Sequence, residues 1–150
     1  MREFDKFNER AMTAVQNAKN AACHFDNPIV GTDHLLLGIL QEGYIEPIFD
    51  NQGIKIEYSI DYVQGKIFVG NTTLEDISKL TYSPEFRKVI RFSTAEAELL
   101  GRERVGPECL FLGVLRNERG IAFKHLKNFG SEYAGRFILR EMRDFVRKHL

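Results

Sequence analysis

The stretch Gly31-Thr32-Asp33-His34-Leu35-Leu36-Leu37-Gly38-Ile39-Leu40 returns 75 residues later, without a gap, as Gly106-Pro107-Glu108-Cys109-Leu110-Phe111-Leu112-Gly113-Val114-Leu115. A fixed-period echo constrains a fold more than any local propensity does. Each copy is one supersecondary unit, and the copies must bury their apolar faces on each other. At the same offset Ala22 meets Ala97, Val30 meets Val105, and Leu35, Leu37 and Leu40 meet Leu110, Leu112 and Leu115; Val15/Ile90, Ile39/Val114 and Asp33/Glu108 are conservative pairs. The apolar positions fall at helical spacing, and no segment alternates with period two for long. The expected fold class is all-α: two tandem four-helix repeats, about eight helices, in pseudo-two-fold arrangement. Repeat one should span about 4–70, an ordered connector about 71–81 and repeat two about 82–150, together forming a single domain.

Asn8 should cap a first helix that runs to about His24, and Asp26-Asn27-Pro28 should end it. Thr32 is the expected cap of the Leu-rich second helix, with Asp33 in its first turn, where a negative charge suits the helix dipole. That helix is apolar around most of its circumference, so it should be buried on more than one side. Gly38 costs helix propensity, about 1 kcal/mol. Its return as Gly113 predicts a close helix–helix crossing at both places. A short helix over about Ile45 to Asn51, with Pro47 in its first turn and Gly53 near its end, precedes a fourth helix marked by Ile56, Ile60, Val63 and Ile67. Ser83-Pro84 is a strong start signal for the second unit. A short helix is expected over about Ile121 to Asn128, ending near Gly130. Ser131 should cap the last helix, to about Lys148, with Ala134, Ile138, Met142 and Phe145 inward. Arg136, Arg140, Arg143 and Arg147 should form a solvated opposite face.

Composition narrows the function. Lys+Arg and Asp+Glu are both 21, so no global field draws in nucleic acid or a membrane surface. A hydrophobic share of 43% with 28% charged residues is that of a soluble globular protein. No apolar run approaches the roughly 18 residues of a membrane span. The N-terminal Met1-Arg2-Glu3-Phe4-Asp5-Lys6 lacks an apolar core, so it is not a signal peptide. Met1 hints at a natural start, while the end at Leu150 is equally compatible with a domain boundary. Cys23 and Cys109 lie in different repeats, outside any metal-binding spacing, and read as buried thiols of a reducing compartment. His24, His34, His125 and His149 are scattered, and packed positions explain them better than a metal site does. There is no Gly-x-Ser-x-Gly elbow, no His-Glu-x-x-His and no phosphate-cradling Gly-x-x-x-x-Gly-Lys-Ser/Thr loop. No catalysis, metal or cofactor is expected.

The helix starts Thr32-Asp33 and Pro107-Glu108 admit two readings. They can simply cap their helices. They can also hold a group that is both anion and guanidinium, such as a phosphorylated arginine, with the helix N–H groups on the phosphate and the carboxylate on the guanidinium.

These segments resemble the Clp N-terminal repeat domain, best known at the front of ClpC-type AAA+ chaperone ATPases. The likeness is carried by Phe4-Asp-Lys-Phe7-Asn-Glu-Arg-Ala11, Ile29 through Leu40 with Glu42-Gly43, Tyr82 through Val89, and Val105 through Leu115. It covers essentially the whole chain. The resemblance implies a non-catalytic, all-helical module that binds adaptor proteins and substrate proteins for a chaperone–protease machine. Its expected partners are Clp ATPase or protease subunits, with no nucleic acid and no membrane. The expected compartment is the cytoplasm, or an organelle stroma in a plastid-bearing source. In ClpC-type members Gly-Thr-Glu-His at each helix start is associated with phosphoarginine on tagged substrates, which carries over to Thr32, Asp33, Pro107 and Glu108 as ligand-binding residues. Here the family glutamate is Asp33 in the first copy, and Pro107 and Cys109 replace threonine and histidine in the second. Pro107 has neither a hydroxyl nor an N–H for a phosphate. Phe4 and Tyr82 match an aromatic position that, in relatives, borders a peptide-binding surface; each can also be a hydrophobic staple on its own helix. Three other readings stay open. One is a free-standing accessory subunit docked on the protease core. Another is a small enzyme or ligand-binding protein using His34, Cys23 and Cys109. The third is a scaffold dimerising through the Arg-rich last helix.

Overall fold

The computed structural model describes residues 2–71, 79–132 and 137–150. Among them are a 3-10 turn at Arg2–Phe4 and eight α-helices: α1 (Glu9–His24), α2 (Thr32–Glu42), α3 (Glu46–Asn51), α4 (Ile56–Lys66), α5 (Pro84–Leu99), α6 (Pro107–Arg116), α7 (Ile121–Glu132) and α8 (Leu139–His149). The only strands among the described residues are two-residue ones, β1 (Ile29–Val30) and β2 (Thr81–Tyr82). The protein is all-α, as its helical periodicity dictates. Most of the expected connector, 72–78, and Ala134 and Arg136 lie outside the described residues.

The 75-residue offset reappears in the backbone. β1 pairs in parallel with β2, so Val30 faces Tyr82; the counterpart of that bridge is Phe7 facing Val105, also parallel. The head of each repeat therefore pairs with the segment that precedes the Leu-rich helix of the other repeat. The Ser83 N–H donates to the Val30 carbonyl at 3.0 Å, and the Asn8 N–H donates to the Val105 carbonyl at 2.9 Å. The caps match too. Asn8 Oδ1 accepts from the Ala11 N–H at 2.9 Å, and Ser83 Oγ accepts from the Phe86 N–H at 3.0 Å. Each bond satisfies an otherwise orphaned first-turn donor. The exchange of edges fixes the two-fold and ties the two repeats together.

α2 and α6 form the centre. Leu35, Leu36, Leu37, Ile39 and Leu40 are buried, as are Leu110, Phe111, Leu112, Val114 and Leu115, each side chain contributing about 1.5–3 kcal/mol of transfer free energy. Gly38 and Gly113 mark the close crossings. A Cβ on Gly38 would lie 2.3 Å from the Ala14 carbonyl oxygen, and one on Gly113 would lie 2.8 Å from the Val89 carbonyl oxygen and 2.4 Å from Ser93 Oγ. Ala14 and Val89 are themselves 75 residues apart.

Four expectations need correcting. The cap of α2 is Gly31, held extended, with Thr32 already inside the helix. α7 continues through Gly130 and Ser131 to Glu132, and α8 starts only at Leu139, with Ile138 as its cap. A Gly-Ser pair does not stop a helix whose apolar face, Ala122, Leu126 and Phe129, is buried; packing outweighs propensity. On α8 Met142 faces inward, but Ile138 is exposed. Arg143 does not belong to a solvated stripe. Its Nε and Nη2 donate to Glu96 at 2.7 and 2.9 Å, and Arg116 adds a third contact at 3.1 Å. Glu96 is fully buried, and these guanidinium bonds compensate its charge.

Candidate functional site at the two helix starts

Each Leu-rich helix begins with a glycine cap, and the acid two residues on folds back over it. A Cβ on Gly31 would lie 2.8 Å from Asp33 Oδ1; one on Gly106 would lie 2.0 Å from Glu108 Oε1. The absence of a side chain at the cap lets the carboxylate cover the helix start, where the dipole favours it.

At the first start, Asp33 Oδ1 accepts from the His34 N–H at 2.9 Å, and His34 Nδ1 accepts from the Gly31 N–H at 2.9 Å. That bond places the ring proton on Nε2. Among the described residues His34 Nε2 is buried and has no hydrogen-bond partner. Burial pushes the His34 pKa down against the opposing charge of Asp33, so the ring is neutral. The Asp33 side chain keeps 14% exposure. The His125 ring lies within reach of the same carboxylate: burial lowers its pKa, Asp33 opposes the shift and the Lys66 ammonium reinforces it. Its Nε2 is also buried without a partner among the described residues. Thr32 Oγ1 accepts from the Ala122 N–H at 3.2 Å, across 90 residues. The threonine thus joins the start of α2 to the start of α7, and two helix N-termini converge there.

The second start differs. Glu108 is buried and its Oε2 is paired with Arg102 Nη1. Pro107 occupies the first position of α6, and Cys109 replaces the histidine. Burial, with the charge of Glu108 beside it, raises the Cys109 pKa to about 11, so the thiol stays protonated near neutral pH and is a poor nucleophile. His34 lies at the start of α2, Cys109 in the first turn of α6, and Cys23 half-buried near the end of α1. Among the described residues there is no metal-binding cluster of histidine, cysteine or acid, and no helix long and apolar enough to cross a membrane.

Phe4 and Tyr82 meet edge to face at 5.8 Å, and Tyr82 stacks on Phe86 at 4.5 Å. The backbone pairing makes Phe7, not Phe4, the counterpart of Tyr82. Phe4 packs on Phe7 at 5.1 Å, so the aromatic group straddles the two repeats. Sequence reasoning missed Glu96 and Arg102. The only signal available was that each breaks the repeat, replacing Ala21 and Asn27 of the first copy.

The family model for the Clp repeat (R) N-terminal domain matches residues 6–129. The chain is 31% identical to the chaperone protein ClpB of Oceanobacillus iheyensis over 129 residues, covering 85% of this chain and 16% of the relative. It is 32% identical to the ATP-dependent Clp protease ATP-binding subunit ClpC of Staphylococcus saprophyticus over 127 residues, covering 83% of this chain and 15% of that relative. It therefore spans about a sixth of the length of these proteins. Among solved structures, the complex of the ClpV N-domain with VipB peptide has a TM-score of 0.70 at 16% identity, covering 99% of this chain and 86% of that one. From the exchanged edges, the doubled helix start and these matches, the chain belongs to the Clp repeat N-terminal domain family.

Proposed function

We propose that this chain is a non-catalytic protein-binding module of the Clp chaperone–protease system, two repeats working as one unit, that receives adaptors and substrate proteins. Substrates carrying phosphorylated arginine would be taken at the start of α2. The observation that carries this reading is the juxtaposition at Thr32 and Asp33. Two helix N-termini, α2 and α7, converge through the Thr32–Ala122 bond beside a part-exposed carboxylate and two ring nitrogens that have no partner among the described residues. Helix starts favour a phosphate, and a carboxylate favours a guanidinium. A phosphoarginine side chain carries both, a planar guanidinium joined through nitrogen to a tetrahedral phosphoryl group. Aspartate reaches one methylene less far than glutamate, so the ligand would sit closer to the helix. The Phe4–Tyr82 edge is the surface we assign to adaptor or substrate peptides. The peptide on the ClpV N-domain supports protein segments as the ligand class for this fold.

The test is a titration of the isotope-labelled chain with a phosphoarginine peptide and with its unmodified twin, followed by amide chemical shifts. The reading expects the modified peptide alone to move Gly31, Asp33, His34 and Ala122. Equal shifts from both peptides, or shifts that avoid the α2 start, would reject the phosphoarginine reading.

A further inference from the structure

We propose that Arg102 is a resident ligand of the second helix start, its guanidinium filling the place on Glu108 that an incoming guanidinium would take, so that this site is closed from within while the first stays open. The inference rests on the reading of both helix starts as guanidinium receptors.

The backbone of the two repeats is equivalent up to the residue in question. Asp26 and Gly101 both take the left-handed turn that ends α1 and α5, at φ 56° and 69°. The next N–H reaches back in the same way, from Asn27 to the Ala22 carbonyl at 2.8 Å and from Arg102 to the Ala97 carbonyl at 2.9 Å. Residues 27 and 102 therefore leave from matching points, and only their side chains diverge. Asn27 is used up locally, its Nδ2 donating to the Phe25 and Phe68 carbonyls, each at 2.9 Å. Arg102 instead extends to the α6 start. Its Nη1 pairs with Glu108 Oε2, and its Nη2 lies 3.4 Å from the Val146 carbonyl in the last turns of α8.

Glu108 is built as a receptor. Its side chain is only 5% exposed, folded over the Gly106 cap. Among the described residues its Oε1 is buried with no hydrogen-bond partner. An ionised carboxylate in such a place is stable only with a cation on it, and its two oxygens match the parallel N–H fork of a guanidinium. Arg102 uses one of those oxygens. The ligand class is thus an alkylguanidinium, and the resident example is the chain's own arginine. Any arginine-type ligand at this start must first displace Arg102. The domain then takes one such ligand, at Asp33.

The experiment is thermal melting of the whole chain and of Arg102→Asn, which restores the residue of repeat one, each with millimolar ethylguanidinium or ethylammonium. Arg102→Asn should melt below the parent. Ethylguanidinium should win back most of that loss by binding the native state, and ethylammonium should not. The parent and Arg102→Asn/Glu108→Gln should give one and the same smaller response to ethylguanidinium, that of the open Asp33 start, and Arg102→Asn should exceed it. A folded Arg102→Asn chain that gains no more from ethylguanidinium than the parent does overturns the proposal. Should Arg102→Asn not fold, side-chain nitrogen NMR of the unaltered chain decides. Arg102 should show slowed rotation about Nε–Cζ and separate Nη signals under conditions where exposed Arg140 is averaged. An averaged Arg102 signal overturns it. Asp33 is the same in every chain compared, so the difference between Arg102→Asn and the parent reports the second start alone; failure here leaves the first site standing, and the reverse holds.

Discussion

Replacing Gly38 by alanine should destabilise the protein even though alanine is the better helix former. On propensity alone the change favours the helix by about 1 kcal/mol. Against that, the added Cβ would lie 2.3 Å from the Ala14 carbonyl oxygen and 2.9 Å from the Ala18 nitrogen, so the first contact is about an ångström short of ordinary van der Waals distance. Both neighbours are backbone, and no side-chain rotation relieves them. α1 and α2 must move apart, loosening the packing of Leu35, Leu36 and Ile39. Overpacking of this kind costs about 1–3 kcal/mol, occasionally more, and backbone contacts put it at the upper end. The expected net loss is about 2 kcal/mol, a Tm drop of about 4–8 °C for a domain this long. Gly113→Ala should also lose stability, but its tightest contact is Ser93 Oγ at 2.4 Å. Adding Ser93→Ala should therefore restore part of the loss, with a favourable coupling of at least about 0.5 kcal/mol. Circular-dichroism melting and urea titration of Gly38→Ala, Gly113→Ala, Ser93→Ala and the Gly113→Ala/Ser93→Ala double variant give these numbers. A Gly38→Ala chain as stable as the parent would refute the close-crossing account.

Arg143→Ala strips the bidentate partner from buried Glu96 and leaves Arg116 alone on it; the expected cost is about 2–3 kcal/mol by urea titration, little changed by added salt. His34 and His125 both have pKa values held below the usual 6.5 by burial. The folded chain thus binds fewer protons than the unfolded one, and the stability they contribute is complete above that value and lost as pH falls below it. His34→Gln, which keeps an acceptor for the Gly31 N–H, should flatten the loss in Tm between neutral pH and mildly acidic buffer. Thr32→Val removes the bond that starts α7 and should cost about 1 kcal/mol, with faster amide exchange at Ala122. Iodoacetamide near neutral pH should alkylate half-buried Cys23 well before Cys109, whose pKa is about 11, as mass spectrometry of the native chain would show.

Local physics made the caps at Asn8 and Ser83 legible, because each bonds within three residues of itself. Gly38 and Gly113 were legible because only a close approach explains a helix-weakening residue that recurs at the same phase. Thr32 was misread because its partner, Ala122, is 90 residues away; a hydroxyl beside a helix start looks the same whichever helix it serves. Glu96 had no local signature, since its partners lie 20 and 47 residues further on. The break at the end of α7 was misplaced because Gly130-Ser131 carries the chemistry of a stop while Phe129 beside it is buried. At the candidate site, sequence pointed to the acids of both helix starts. What separates the two starts is where residues 27 and 102 send their side chains, which depends on the tertiary fold.

The most direct test of the central reading is calorimetric titration of the chain with a phosphoarginine peptide, repeated on Asp33→Ala and on the unmodified peptide. The account predicts one site per chain, lost in Asp33→Ala and absent for unmodified arginine. Two equivalent sites, or binding that survives Asp33→Ala, would contradict it.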